Sequence, residues 1–462
     1  MSTALSDRKR TLIFINIIIT CIASSMLATA LTTALPGMIE DFSISLNTGQ
    51  WLTSGYSLAM GIMMPLTAFL INRFPTRRLY LAAIICFIAG LVLCVIAPSF
   101  PILMSGRILQ ACGNGILTSM AQVILLTIYP DGKKGTVMGW YGLSIGAAPV
   151  IAPTLAGFLV DYYGWRMIFY AAIVIMLVSL VFAVCVFSDV LDNKKMKFDV
   201  VSFVLSAFAF GGLTLGIGNL GTAPFVSIQV LGALVIGIVS AIAFALKQIR
   251  MSDPFLDLST LRNRSFTMSV IGSMILYLVM MASSTIMPLY VQTIMGYSAT
   301  ISGLVVLPGS VVMAILNPFT GKIYDKLGMR SLFLAGAIFL TLSTLAMSFV
   351  GPETPLVLPA IYNAVRCAAI GCLMMPFVTW GVGGIDKSKT AHATALLTSL
   401  RTISGAIGSA VFIGIMTAAA NSLEGTLGDI AQLRGMNITF LCMAAVSFIL
   451  LLIGIFLVKN KE

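Results

Sequence analysis

Long apolar runs alternate with short polar segments along almost the whole sequence. Fourteen of these runs have about 20 residues, the length at which a helix crosses the hydrocarbon core of a bilayer. They cover approximately residues 11–34, 48–70, 79–97, 101–124, 136–159, 166–188, 198–219, 225–247, 268–292, 300–321, 331–350, 356–381, 391–419 and 436–458. The pattern predicts an all-α integral membrane protein with fourteen spans.

Composition and charge placement agree with this prediction. Charged residues make up 9% of the 462 residues, against about 25% in soluble domains. The net charge of +11 does not indicate a nucleic-acid partner, because 22 of the 27 Lys and Arg residues fall in the tails or in alternate connections between spans. Basic connections face the cytoplasm. We therefore expect both termini there and an even number of spans.

Two basic connections carry the same motif at a constant offset of 253 residues. The matched pairs are Pro65 and Pro318, Asn72 and Asp325, Arg73 and Lys326, and Arg77 and Arg330. The offset predicts a duplicated six-helix unit. We expect the polar members of these pairs to act as gating latches, because contacts at helix ends can be made and broken between two states. The alternative is that the basic residues only hold these connections in the cytoplasm. Asn72 cannot form the ion pair of a carboxylate, so the first copy is expected to be the weaker latch.

Two six-helix units leave one pair of spans over. The predicted organisation is an N-terminal bundle (1–190), an inserted helix pair (191–250), a cytoplasmic interfacial linker (251–267) and a C-terminal bundle (268–462). Apolar and charged residues alternate in the linker, which is typical of a helix on a membrane surface.

Three arginines fall inside predicted spans: Arg107, Arg366 and Arg401. Every Asp and Glu can be placed in a loop, a tail or a helix end. An ionised side chain at membrane depth costs about 2.5–3.5 kcal/mol, so it should face a cavity or a partner. These arginines either bind substrate, gate or tune a proton path, or bond carbonyls at a broken helix.

Small residues and prolines mark the fifth span. The small residues include Gly142, Gly146 and Gly157, and the prolines are Pro149 and Pro153, which lie between Gly146 and Gly157. Small residues at four-residue spacing form a flat helix face that another helix can approach closely. Proline bends a membrane helix. We predict a bent helix at the seam between two moving halves.

The end of this span and several other segments carry a family resemblance. The fifth-span segment reads Ala152, Pro153, Thr154, Leu155, Ala156, Gly157, then Asp161, and then Gly164, Trp165, Arg166. It resembles the antiporter motif in the fourteen-span drug/proton antiporter branch of the major facilitator superfamily. This branch includes multidrug efflux and lincomycin-resistance proteins. The first-helix ending, both loop motifs, the segments around Arg107 and Arg401 and the linker before span nine are similar to that branch as well. The resemblance implies two pseudo-symmetric bundles plus two inserted helices. It also implies export of hydrophobic compounds in exchange for protons, by alternating access.

The sequence departs from the family pattern at the usual proton site. The first-helix aspartate and asparagine of the family are Leu27 and Thr32 here. Asp41 and Asp161 are then the candidates for proton coupling. The buried arginines favour an anionic, zwitterionic or neutral amphiphile as substrate. The alternative function is an exporter or flippase of a lipid or organic anion in the same fold, without proton coupling.

Polar and aromatic residues within the spans are the candidates for a central substrate cavity. Besides the three arginines, they are Gln110, Asn114, Asn317, Asn363, Tyr56 and Tyr141. His392, the sole histidine, titrates in the range of proton coupling, although a polar residue at a helix start would also explain it.

The sequence lacks the residue patterns that other functional classes require. A phosphate-binding Gly-rich loop followed by lysine is absent, so transport would be driven by a gradient or by the membrane potential. A membrane enzyme would need a cluster of carboxylates or histidines, and the eight cysteines lie singly within spans. We expect no cofactor, no metal site and no enzymatic activity. The expected protein is a monomeric transporter in a bacterial cell membrane, in contact with lipid, protons and a small amphiphilic substrate.

Overall fold

The computed structural model describes residues 6–191, 193, 198–219, 226–251, 254–297, 299–351, 353–427 and 430–458. All regular elements in these ranges are helical. The long helices are α1 (Asp7–Asp41), α2 (Leu46–Arg73), α3 (Thr76–Ile96), α4 (Phe100–Ile128), α5 (Asp131–Tyr163), α6 (Met167–Val186), α7 (Val200–Gly218), α8 (Ala233–Arg250), α9 (Arg264–Leu289), α10 (Ala299–Leu327), α11 (Met329–Met347), α12 (Val357–Gly383), α13 (Thr390–Leu427) and α14 (Ala431–Phe456).

These fourteen helices correspond one to one with the fourteen predicted spans. Thirteen contain a described stretch that is long and apolar enough to cross a membrane. The remaining one, α5, has 33 residues and includes side chains outside the described set. The predicted all-α membrane fold is confirmed. With an even number of crossing helices, α1 begins and α14 ends on the same side, which we call the terminal face; the other side is the opposite face.

The helix pairs that touch repeat between the two halves of the chain. Helix α1 packs on α5 and α6, α2 on α4, and α3 on α4 and α6. The same pairs recur eight helices later: α9 packs on α13 and α14, α10 on α12, and α11 on α12 and α14. The 253-residue offset of the loop motif therefore has a counterpart in the packing.

Helices α7 and α8 form a hairpin outside this repeat. Helix α7 packs on α8 and also on α2 and α13, whereas α8 packs mainly on α7. The hairpin is tight because a methyl group at Gly212 would lie 2.8 Å from the Ala233 carbonyl oxygen. A π-helical turn, Ile228–Gly232, opens α8.

The connection between α8 and α9 differs from the predicted surface helix. Its only helical part in the described residues is a 3-10 turn, Leu258–Arg262. Phe255 and Leu256 are buried, so the alternating pattern of this linker reflects a segment docked on the protein rather than a longer amphipathic helix.

Helices α5 and α10 form the closest contact between the two halves. Gly135 packs backbone to backbone on Gly321, and Gly139 packs on the Asn317 carbonyl. A methyl group at Gly142 would lie 2.6 Å from Met375 Cγ. The predicted flat face exists, but it begins nearer the terminal face than the motif suggested.

The seam between α5 and α10 loosens toward the opposite face. A methyl group at Gly146 would still lie 3.2 Å from Met313 Cε, whereas one at Gly157 or at Gly303 of α10 would meet nothing within 4 Å. Gly157 therefore lies outside the contact to which we assigned it. Helix α5 runs without interruption through Pro149 and Pro153, whose side chains lie outside the described set.

Candidate functional site

The second loop motif closes the terminal face. Asp325, near the end of α10, accepts hydrogen bonds from the backbone N–H groups of Gly135 (2.8 Å) and Thr136 (2.7 Å). Its Oδ2 also accepts one from Thr136 Oγ1 at 2.6 Å. All three donors lie in the second turn of α5, toward the positive end of its helix dipole, which favours an anion. One carboxylate thus holds the two halves together.

The first loop motif closes the neighbouring seam through a contact that the sequence reasoning missed. Asn72 of α2 lies 2.9 Å from His392 Nε2 of α13. The Asp257 backbone N–H donates to His392 Nδ1 at 3.3 Å. Because a backbone N–H can only donate, this bond requires an unprotonated Nδ1, and a neutral ring then carries its proton on Nε2. The Asn72 amide accepts from that N–H through its oxygen, with the oxygen in the position of the nitrogen that lies 2.9 Å from Nε2. His392 therefore joins the N-terminal half, the linker and the C-terminal half. The spacing of Asn72 and His392, 320 residues apart, gave no signal of this.

The predicted basic gating residues serve other contacts on this face. The Arg77 guanidinium donates to the Val184 carbonyl at 2.7 Å, and its backbone N–H donates to Asp189 at 2.9 Å. Arg77 thus ties α3 to the end of α6 within one half. Arg73 ends α2 and Arg330 lies in the first turn of α11.

A cavity of about 1150 Å³ lies toward the opposite face, between α2, α7 and α13. Its polar lining side chains are Trp51, Thr53, Ser54, Ser57, Thr214, Asn219, Gln229, Ser409, Thr417 and Asn421. A deeper compartment of about 230 Å³ adjoins it and reaches Tyr277 and Ser399. Trp51 and Val411 remain exposed at its wall. The structure is therefore closed at the terminal face and open at the opposite face.

Four predicted cavity residues form one cluster between α2 and α4. Arg107 is 1% exposed and lies 4.2 Å from the centre of the Tyr56 ring. It donates to the Leu52 carbonyl at 3.3 Å and to Gln110 Oε1 at 2.6 Å. Asn114 Nδ2 donates to the Tyr56 hydroxyl at 2.8 Å. These contacts match the structural reading of Arg107, with the guanidinium bonded to a carbonyl.

Arg366 and Arg401 are less well satisfied. Arg366 donates to Asn363 Oδ1, and Asn363 donates to the Val306 carbonyl at 3.4 Å. Arg401 lies over the Tyr277 ring at 4.9 Å. In both arginines Nε and one terminal nitrogen are buried without a hydrogen-bond partner among the described residues. Buried donors are costly to leave unpaired. A buried guanidinium with unused donors can therefore bind a hydrogen-bond acceptor.

The nine predicted cavity residues do not form one site. Arg107, Gln110, Asn114 and Tyr56 lie together, Arg366 lies with Asn363, and Asn317 packs against Gly142 in the α5–α10 seam. Tyr141 donates to the Thr118 carbonyl at 3.4 Å. None of the nine lines the cavity on the opposite face. The polar lining is mostly Ser and Thr, which residue type alone does not distinguish from ordinary helix packing.

Neither candidate for proton coupling lies inside the bundle. Asp41 accepts from Trp165 Nε1 at 2.7 Å and from the Arg166 guanidinium at 2.9 Å. The Trp165 bond, and then the Arg166 bond, lower the pKa of Asp41, which disfavours Asp41 as a proton carrier at neutral pH. Asp161 is exposed near the end of α5. The buried ionisable side chains of the described helices include Arg and His but no Asp or Glu.

Comparison with known proteins decides the family. A family model described as Major Facilitator Superfamily matches residues 13–409. The chain belongs to this superfamily. Members of the superfamily are transporters rather than enzymes, as predicted.

Individual matches support the same assignment. The uncharacterised transporter YcnB of Bacillus subtilis is 34% identical over 94% of this chain and 92% of its own length. The lincomycin resistance protein LmrB of the same organism is 32% identical over 87% of this chain and 85% of its own. The proton:xylose symporter XylE shares the fold, with a TM-score of 0.67, 13% identity and coverage of 99% and 98%. The drug/proton antiporter branch indicated by the motifs is confirmed by the resistance-protein relatives.

Proposed function

We propose that this superfamily member is a secondary active exporter of amphiphilic compounds that works by alternating access. The observation that carries the proposal is the asymmetry of the two faces. Asp325 and the Asn72–His392 pair close the terminal face, while a cavity of about 1150 Å³ lies toward the other. Such an arrangement is one of the two end states of a rocking transporter.

The direction of transport follows from the charge pattern and the relatives. Basic connections gather on the terminal face, and because basic connections favour the cytoplasmic side of a membrane, this pattern supports a cytoplasmic terminal face. The cavity then opens to the outside, as required for release of an exported compound. The name of LmrB, a lincomycin resistance protein, supports drug export as the task.

Proton exchange is the driving force that we propose. The family resemblance favours it, and the Asn72–His392 pair offers a titratable group at a gate. Asp161 remains a second candidate, because it is exposed at the opposite face and is open to protons there.

The alternative is export of a lipid or an organic anion without proton coupling. Two observations favour it: Arg366 and Arg401 have buried, unused donors, and the described interior holds no Asp or Glu. Under this alternative, the substrate itself would supply the negative charge that pairs with these two arginines.

Transport in proteoliposomes with a pH dye inside tests both. The panel contains ethidium as a cation, chloramphenicol as a neutral compound and deoxycholate as an anion. Proton movement that depends on an added compound supports antiport. Compound flux without proton movement supports the alternative, and the absence of flux for all three contradicts export of amphiphiles.

An Asp325→Asn variant links the closed face to the activity. The amide nitrogen would oppose the α5 donors, and each hydrogen bond to a charged group is worth about 1.5–3 kcal/mol. We expect a transport rate at least tenfold lower. Asp131→Asn is the matched control, since the exposed Asp131 lies at the start of the same helix and pairs with Lys134 of that helix. An equal effect of both substitutions would contradict the role of Asp325 as a latch.

A further inference from the structure

The inserted helix pair contributes directly to the cavity on the opposite face. Thr214, Leu215, Ile217, Gly218 and Asn219 of α7 line it, as does Gln229 from the π-helical turn before α8. Helix α2 forms a second wall and the outer part of α13 a third. Without α7, this side of the cavity would face the membrane.

Helix α7 is held firmly in this position. On one side it packs on α8, where a methyl group at Gly237 would lie 2.6 Å from the Leu213 backbone nitrogen. On the other side Gly211 faces Leu58 and Ile62 of α2 at ordinary contact distance, 3.6 Å. Helix α8 exposes Val235 and Val239, as expected of a lipid-facing helix. The hairpin therefore supplies a fixed inner wall and an apolar outer surface.

The lining of the cavity selects for an uncharged occupant. Its polar groups are hydroxyls, amides and the Trp51 indole, and the rest is aliphatic; no charged side chain is among the described lining residues. The Arg401 guanidinium lies over the Tyr277 ring but is not among the described lining residues. An ion in contact with the lining would therefore lose hydration without a direct counter-charge. A neutral compound with hydroxyl or amide groups at one end and an apolar body would find partners for both.

We propose that α7 forms part of the substrate site and binds the hydrogen-bonding end of a neutral amphiphile. The Thr214 hydroxyl and the Asn219 and Gln229 side chains face that end, and the aliphatic residues of α13 contact the apolar body. This inference rests on the proposed export function only where it treats the bound compound as the transported substrate. Binding itself can be tested without transport.

The test fills the cavity from α7. A methyl group at Gly218 would meet nothing within 4 Å, so Gly218→Leu adds bulk to the cavity without a clash. Gly383→Leu is the matched control, because Gly383 is also the last residue of its helix, is also exposed and also has open space around it. It lies at the terminal-face end of α12, a helix that contributes no described residue to the cavity lining.

Equilibrium binding of radiolabelled chloramphenicol to the purified full-length protein is the readout. We expect Gly218→Leu to weaken binding at least tenfold, Thr214→Val about threefold to tenfold, and Gly383→Leu by less than twofold. Deoxycholate and ethidium should compete poorly. Unchanged affinity in Gly218→Leu, or preferential binding of deoxycholate or ethidium, would overturn the proposal.

A second measurement guards against misfolding and separates the two proposals. In purified Gly218→Cys, chloramphenicol should slow modification by a polar thiol reagent at least threefold, whereas modification of Gly383→Cys, which is also in open space, should be unaffected. Protection at position 218 in a protein that transports nothing would uphold the α7 site and refute export. Transport of chloramphenicol without such protection would do the reverse.

Discussion

At the scale of single residues, the terminal face is closed by side chains whose roles depend on protonation. His392 Nδ1 accepts the Asp257 N–H, which is possible only for the neutral ring. Asp257 also pairs with Lys389 at 2.8 Å, so the linker and the start of α13 are joined by an ion pair beside this ring.

Acidification should therefore loosen the linker. When the ring is protonated, both ring nitrogens carry protons and the Asp257 N–H loses its acceptor. We expect amide hydrogen exchange in residues 254–262 to increase between pH 7.5 and 5.5 beyond the intrinsic pH effect. In His392→Gln the glutamine oxygen can accept that N–H at any pH, so the step should vanish. A step of the same size in this variant would show that another group titrates.

Asp41 should not contribute to the pH dependence of transport. Its pKa is lowered by Trp165 and Arg166, so the stabilising contacts are complete above about pH 4, the ordinary value, and are lost only as the pH falls further through the lowered pKa. We expect Asp41→Asn to leave the shape of the pH–rate profile between pH 5 and 8 unchanged. A shift in the midpoint of this profile would show that Asp41 does carry protons. The same measurement on Asp161→Asn tests the other candidate.

At the scale of elements, the α5–α10 seam explains why glycine occurs at four-residue spacing. The backbones meet at Gly135 and Gly321 and again at Gly139 and Asn317. Such an approach is possible only without a side chain, and it brings Gly135 and Thr136 within reach of Asp325. The seam and the latch are therefore one structural unit.

A side chain at Gly139 should force the seam apart. Overpacking costs about 1–3 kcal/mol where the neighbour can yield, and here the neighbour is backbone. We expect Gly139→Leu to abolish transport and to lengthen the distance between spin labels at Gly132 and Leu327, measured by pulsed electron paramagnetic resonance. Gly157→Leu, on the same helix but in open space, should change neither. Normal activity of Gly139→Leu would mean that the seam relaxes at little cost.

At the scale of the whole molecule, the charge asymmetry predicts orientation. Alkaline phosphatase is active only outside the cytoplasm, so a fusion after Ile44, following α1, should be active, and one after Pro75, following α2, should be inactive. Activity in the reverse pattern would place the basic connections outside and would turn the proposed exporter into an importer. The pair of fusions differs by one span, and each serves as the control for the other.

The sequence by itself determined the helix number, the repeat and the family. Apolar runs of span length report directly on the bilayer, because unpaired backbone groups cannot remain in hydrocarbon, and the 253-residue offset reports on the duplication. The small-residue face of α5 could also be predicted from the sequence, since close packing of two helices requires small residues whichever helix is the partner. These features depend on local sequence or on a comparison of the chain with itself.

Only the tertiary structure decided which polar residues share a site. Asn72 and His392 meet across 320 positions. Thr214 lines the cavity while Gly212 of the same helix packs on α8, and the nine predicted cavity residues separate into several clusters. A helix shows its neighbours one face, and which face that is depends on packing between distant helices. Sequence spacing fixes positions along a helix, but contacts between the halves are set by how two bundles dock.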